Sequence, residues 1–318
     1  MLYTLLFILM FIAMGIYFRV ADRYNIIDRP NERSSHTEVT IRGGGIIFLF
    51  GAISIQILHP EFWMPVIGML IIGTISFIDD RVTLSNKIRL LFHLTAVTLL
   101  FLFLNIFQVC PWYISICLYI LVIGIINAYN FMDGINGITG LYSLVVLAGL
   151  QFVNYYITPF ITPDLIWIPV IACLVFLFFN FRKRAKCFAG DVGSISIAFW
   201  IIFLIFKLIL DTGNYAYILF LTVYGVDAVL TIIHRLLLKQ NIFEAHRLHF
   251  YQILANEQKW PHLWVSVLYG SLQALIILIV IYLPIGFGGL LLLTVSPLAL
   301  LYVVLKKKLT LINQLTLH

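Results

Sequence analysis

Four stretches of this chain carry residue types and spacings suited to chemistry on a charged substrate. The first is Asn127–Gly140, N-A-Y-N-F-M-D-G-I-N-G-I-T-G. Asn127, Asn130, Asp133 and Asn136 recur every third residue, a step that drifts by roughly 60° on a helix, so the first three share one broad face. Gly134 and Gly137 then break the helix, where backbone can approach a ligand closely. Apolar runs flank the segment at Trp112–Ile126 and Leu141–Leu150. A carboxylate and three amides at the mouth of a membrane helix are costly unless they bind something, the alternative being a polar helix end before a glycine turn.

The second stretch is the pair Asp79-Asp80, followed by Arg81, Lys87 and Arg89. Adjacent carboxylates suit a divalent metal, or a general base whose pKa its twin raises. As bare helix-end charges they would oppose the dipole of the helix they close. The third is Gly190-Asp191-Val192-Gly193-Ser194, a lone carboxylate framed by glycines just before an apolar run. It suggests a metal or phosphate contact. The fourth is F-E-A-H-R-L-H-F-Y-Q, residues 243–252, in which His246, Arg247 and His249 could grip phosphate or sugar. Its surroundings, Asn241–Glu257, could form an amphipathic helix lying on the membrane surface. Nearer the start, residues 28–45 offer Arg33, His36 and Arg42, then Gly43–Gly45. Bare N–H groups on those glycines could hold an anion at a helix N-terminus, or the glycines could serve close helix packing.

These groups must be positioned by membrane helices. The 318 residues are 62% hydrophobic and only 11% charged, where a soluble domain would carry roughly 25% charged residues. Apolar runs long enough to cross a bilayer recur near 2–20, 44–59, 63–79, 88–105, 112–130, 138–156, 163–180, 193–210, 215–233, 263–283 and 286–305. The expected fold is all-α: a polytopic bundle of 10–11 spans in a single integral-membrane domain, 1–318. The first run lacks a basic segment before it and has Arg19, Arg23 and Arg29 within or after it, so it reads as a retained span. Of the 20 Lys and Arg, 19 fall on or near one side of the alternation, Lys207 being the exception. The positive-inside rule makes that side cytoplasmic and puts the N-terminus outside. Asp227 lies within the ninth run, where an acid should face a cavity. The four cysteines form no C-x-x-C pair and suggest neither a disulfide framework nor a zinc site.

Acid, amide and cationic groups thus converge at one water–lipid boundary, where a lipid headgroup could meet a cytoplasmic solute. Carboxylates with amides suggest Mg²⁺ bridging phosphates, and Arg and His suggest stabilisation of phosphoryl oxygens. Two rival classes fit less well. A secondary transporter of an anionic solute would show an internal repeat and midplane charges, and only Asp227 is so placed. An intramembrane Mg-dependent prenyltransferase would carry two D-x-x-x-D-type motifs, whereas Asp79-Asp80 is followed by Arg81-Val82-Thr83.

Taken together the motifs resemble the polyprenyl-phosphate N-acetylhexosamine-1-phosphate transferases, glycosyltransferase family 4. Asp79-Asp80-Arg81, Asn127–Gly137, Gly190–Ser194 and Phe243–His249 match four motifs of that family in order, within residues 22–262. The resemblance implies transfer of N-acetylhexosamine-1-phosphate, by default GlcNAc-1-phosphate, from a UDP-N-acetylhexosamine to undecaprenyl phosphate, releasing UMP. It implies Mg²⁺, with Mn²⁺ as an alternative, held by Asp191 and Asn130. Catalytic roles fall to Asp79, Asp80, Asp133, Lys87 and Arg89. Substrate contacts fall to Asn127, Asn136, Asn180, Arg42, His246, Arg247 and His249. The implied setting is the bacterial inner membrane, with the active site facing the cytoplasm, no nucleic-acid partner, and a homodimer left open. Asn136 stands where many members have Asp, and His246-Arg247-Leu248-His249 departs from the histidine-rich D-R-x-H-x-H-H loop of the peptidoglycan enzymes. The loop looks closer to members that start O-antigen, capsule or teichoic acid chains.

Overall fold

A computed structural model describes residues 1–28, 39–241 and 247–316, with side chains described as far as Lys306. The helices are α1 (Leu2–Arg23), α2 (Ile47–Leu58), α3 (Trp63–Asp79), α4 (Asn86–Phe103), short α5 (Ile106–Val109), α6 (Trp112–Met132), α7 (Ile138–Tyr156), α8 (Asp164–Asn180), α9 (Gly190–Thr212), α10 (Thr222–Leu237), short α11 (Phe250–Gln252), α12 (His262–Tyr282) and α13 (Phe287–Thr316). Each expected span coincides with one of them. Among the described residues nine are long and apolar enough to cross a membrane, and two apolar helices are shorter, Gly44–Leu58 and Asp164–Asn180. The chain is a multi-pass membrane protein.

One helix forms the axis. Along α9, residues Val192 to Phe206 are buried without a break, as expected of a helix that is apolar all round and surrounded by other helices. α3, α6, α7 and α2 pack around it, within one cluster of buried side chains that runs from Leu6 to Tyr302. The Asp191 motif is the N-terminus of this central post, and every neighbour is positioned relative to it.

The up-and-down order puts the polar motifs at one end. At the opposite end, Tyr3 Oη donates to Asp164 Oδ1 at 2.5 Å and His59 Nε2 lies 2.8 Å from Asp164 Oδ2. These contacts pin the start of α1, the end of α2 and the start of α8 together. Lys207, the exceptional lysine, pairs there with Asp211 one turn along.

The chain entering α2 departs from a purely helical plan. Ile27–Asp28 and Thr40–Ile41 form a two-stranded antiparallel ribbon, β1 and β2, pairing Ile27 with Ile41 and Asp28 with Thr40. Ile41 also bridges in parallel to Cys187. Phe188 N donates to Ile41 O at 2.8 Å, Gly44 N to Phe188 O at 2.8 Å, and Gly45 N to Ala189 O at 3.0 Å. The expected anion-binding role of Gly43–Gly45 is therefore corrected: the N–H groups of Gly44 and Gly45 are satisfied by the segment that leads into α9. The glycines serve close approach instead, since a Cβ on Gly45 would collide with the Gly193 backbone. The expected surface helix over Asn241–Glu257 is corrected as well. Its described helical part, Phe250–Glu257, buries Phe250, Tyr251, Ile253, Leu254 and Ala255, so it docks into the bundle. Arg29, Arg33, His36 and His246 lie outside the described residues.

Thermal unfolding in detergent checks the α2–α9 contact. Gly45→Ala should lower stability by about 1–3 kcal/mol, the cost of overpacking. Gly15→Ala, on a stretch of α1 with nothing within 4 Å of a new Cβ, should be neutral or stabilising by up to about 1 kcal/mol. Equal effects would contradict the close packing.

Candidate active site

The site is built where the end of α3 meets the start of α9. Asp79 is the last residue of α3 and Asp80 follows it. Asp80 does not face solvent: its carboxylate accepts the N–H of Asp191 at 3.2 Å and of Val192 at 3.3 Å, and Arg42 Nη2 lies 2.8 Å from Oδ1. An acid unfavourable at the end of its own helix is favourable here, because it meets the free N–H groups and positive dipole end of another. Gly190 makes the crossing feasible. It has φ +70°, and a Cβ would lie 2.5 Å from Asp80 Oδ2.

Asp80 is thereby sealed, its side chain 1% exposed, while Asp191 keeps 20% exposure. Arg42 Nη2 and Arg89 Nη2 stand 3.9 Å from opposite oxygens of Asp191. Asn130, on the last turns of α6, lies beside Asp191 and favours its charged form, and its Oδ1 accepts Ser194 Oγ at 2.9 Å. Asp79 accepts the N–H of Leu84 at 2.7 Å and lies 3.4 Å from Arg89 Nη1. Asp133 lies just past α6, at its C-terminal end, with Thr139 nearby.

Four carboxylates thus share one end of the bundle with two guanidinium groups. Burial is the main reason that the Asp80 carboxyl is pushed up to about 7; the neighbouring Asp191 charge adds to this, against the pull of Arg42 and two backbone N–H groups. Burial likewise lifts Asp133 to about 7, Thr139 opposes it, and Asp191 and Asp80 add to the rise. For Arg42, burial works against its charge but Asp80, Asp191 and Asp28 outweigh it, so its pKa rises. The donors are hard oxygens in a field with excess negative charge. Among the described residues no three His, Cys, Asp or Glu side chains converge as a ready-made metal cage.

Of the residues singled out in the sequence, Asp79, Asp80, Asp191, Asn130, Arg42 and Arg89 are joined by direct contacts, and Asp133 stands in the same electrostatic field. The others are placed differently. Asn127 turns back to its own helix, donating to Ile123 O at 2.9 Å. Asn136 is buried and donates to Arg182 O and Lys183 O at 2.8 and 3.3 Å. Asn180 accepts from Gly137 N at 2.6 Å and donates to Cys187 O at 2.8 Å. Both amides brace the turn that carries Asp133. Lys87 is exposed on the first turn of α4, about 200° around that helix from Arg89. His249 is buried with its Nδ1 3.3 Å from Asp227, and Arg247 is half-buried beside it. Ser194, which donates to Asn130, was not singled out; the G-D-V-G-S string contained it, but hydroxyls are too common to flag.

The chain also matches known proteins. Residues 62–209 match the family model described as glycosyl transferase family 4, in keeping with the resemblance of the four motifs. Similar curated proteins include a probable undecaprenyl-phosphate N-acetylglucosaminyl 1-phosphate transferase of Bacillus subtilis, 26% identical over 256 residues that cover 74% of this chain and 71% of that protein. The undecaprenyl-phosphate alpha-N-acetylglucosaminyl 1-phosphate transferase of Escherichia coli K12 is 28% identical over 228 residues, 64% of this chain and 61% of that protein. A phospho-N-acetylmuramoyl-pentapeptide-transferase of Thermotoga maritima is 27% identical over 180 residues, 51% of this chain and 58% of that protein.

The raised carboxyls make stability depend on pH. With folded pKa values of about 7 for Asp80 and Asp133, the folded chain holds more protons than the unfolded chain between about pH 4 and 7, so stability falls as pH rises through that window. The unfolding temperature in chelator should therefore drop from pH 5 to pH 8, and Asp133→Asn should flatten the slope. A temperature that climbs with pH would contradict the crowded-carboxyl site.

Proposed function

We propose that the chain transfers N-acetylhexosamine-1-phosphate, by default GlcNAc-1-phosphate, from a UDP-sugar to undecaprenyl phosphate. The names of its relatives support this reading, and one observation carries it. Asp80 closes the N-terminus of α9 and so presents Asp191 between Arg42, Arg89 and Asn130, an arrangement suited to a pyrophosphate with its counter-cation.

Mg²⁺, or Mn²⁺, fits the donor set. All donors are oxygens, Asp191 is open, and Asp80 and Asp133 are held back from ionising by burial and mutual repulsion, a strain that a divalent cation would relieve. Two protein ligands, Asp191 and Asn130, would suffice, because Mg²⁺ keeps several waters and binds substrate phosphates. When bound, it would neutralise the pyrophosphate and polarise the phosphoryl oxygens.

The chain's own groups do the rest. Arg42 and Arg89 hold the donor pyrophosphate and offset charge as it develops. Asp133 accepts a proton from the lipid phosphate, whose oxygen then forms a bond to the β-phosphorus. The bond from that phosphorus to the oxygen bridging the α-phosphate breaks, and UMP leaves with the electron pair. Asp79 keeps Arg89 in place. Arg247 contacts the sugar phosphate. The Lys and Arg distribution supports a cytoplasmic setting for this end of the bundle, and the relatives' names support a bacterial inner membrane.

Purified protein with UDP-GlcNAc, undecaprenyl phosphate and Mg²⁺ should release UMP while label enters the lipid. Asp191→Asn should cut the rate by about 10²-fold or more, the scale of losing one pre-set electrostatic contact, and EDTA should abolish it. Release of UDP would sink the reading, and so would silence across a panel of UDP-N-acetylhexosamines.

A further inference from the structure

Asp227 is a buried carboxylate of α10 that the transfer chemistry leaves unused. It borders an apolar cavity of about 250 Å³ between α10, α12 and α13, yet its oxygens are occupied by protein donors. Oδ1 accepts the N–H of Phe250 at 2.9 Å and the Thr231 hydroxyl at 3.2 Å, and His249 Nδ1 lies 3.3 Å from it. Oδ2 accepts the N–H of Tyr251 at 3.3 Å and the Tyr269 hydroxyl of α12 at 2.6 Å. A carboxylate has about four lone-pair sites, and five donors saturate them. Asp227 has nothing left to offer a substrate.

What it offers is an anchor for residues 249–251. From there the structure leads back to the active site. Tyr251 Oη donates to Phe131 O at 2.9 Å and its ring packs against Gly134, the positions on either side of Met132 and Asp133. The His249 ring also faces Phe131, 6.0 Å between centroids. From the other flank, Lys306 of α13 donates to Leu248 O at 2.8 Å. Arg247, the loop cation assigned to the sugar phosphate, sits two residues from the anchored His249.

We propose that Asp227 is a positioning residue for the transfer. By fixing the backbone of residues 249–251 it holds Arg247 and, through Tyr251, the Phe131–Gly134 turn at one spacing, and so governs binding of the sugar nucleotide. The inference rests on the transferase reading for its kinetic arm alone.

The test compares full-length Asp227→Asn with the parent. Hydrogen exchange should quicken in residues 247–257 and in 131–137, and not in the spans. The KM for the UDP-sugar should rise about tenfold, the scale of one lost charge-assisted hydrogen bond, while the KM for the lipid phosphate changes less than about twofold. Tyr269→Phe, which removes one donor, should move the same quantities less, and it decides the matter if Asp227→Asn does not fold. Unchanged exchange at 131–137 would overturn the proposal. So would a fall in kcat with both KM values unchanged, or exchange raised evenly through the bundle. A parent that releases no UMP would defeat the transferase reading, and the exchange comparison would still judge the anchor.

Discussion

The structure depends on one carboxylate crossing from the end of α3 to the start of α9. Asp80 receives two backbone N–H groups of the central helix and the guanidinium of Arg42 at once. A helix terminus in a poorly hydrated setting needs partners for its free N–H groups, and Asp80 supplies them. In doing so it fixes where the first turn of α9 sits, and that turn carries Asp191, the carboxylate left open. The strand pairing of residues 40–45 with 187–189 and the Gly45–Gly193 approach follow from the same constraint. They carry Arg42 into reach of both acids. Gly190 is needed because any side chain would fill the space that Asp80 occupies.

The site is consequently a place of stored charge conflict. Four acids meet two arginines, and burial keeps Asp80 and Asp133 reluctant to ionise at neutral pH. On the proposed reading, a cation and a pyrophosphate entering together would relieve that conflict, which is how an active site can hold strain that its ligands relieve. The same division separates roles within the aspartate pair. Asp80 is sealed and acts by position, whereas Asp79 reaches outward to Arg89.

Much of this was legible in the sequence. Every span was readable because the bilayer demands a run of about twenty apolar residues, and the alternation of those runs already put the Asp79, Asn130, Asp133 and Asp191 motifs at one end. What stayed hidden was the use made of each polar group. Asn136 and Asn180 have the same side chain as Asn130, yet they brace backbone turns, because only the fold decides which amide meets a carbonyl and which a carboxylate. Gly43–Gly45 advertised free N–H groups, of which those of Gly44 and Gly45 are taken up by the carbonyls of Phe188 and Ala189. Asp227 looked like a cavity acid; it does border one, but four of the five donors that saturate it come from residues 22 to 42 positions away.

The central claim is that Asp80 acts by holding Asp191 in place. The most direct measurement is the Mg²⁺ dependence of turnover in Asp80→Asn beside the parent. The account predicts that the variant needs about tenfold more Mg²⁺ for half-maximal rate, one lost charge-assisted contact, and recovers much of its activity at saturation. An unchanged Mg²⁺ requirement with a collapsed saturating rate would mean that Asp80 itself performs the chemistry, and would contradict it.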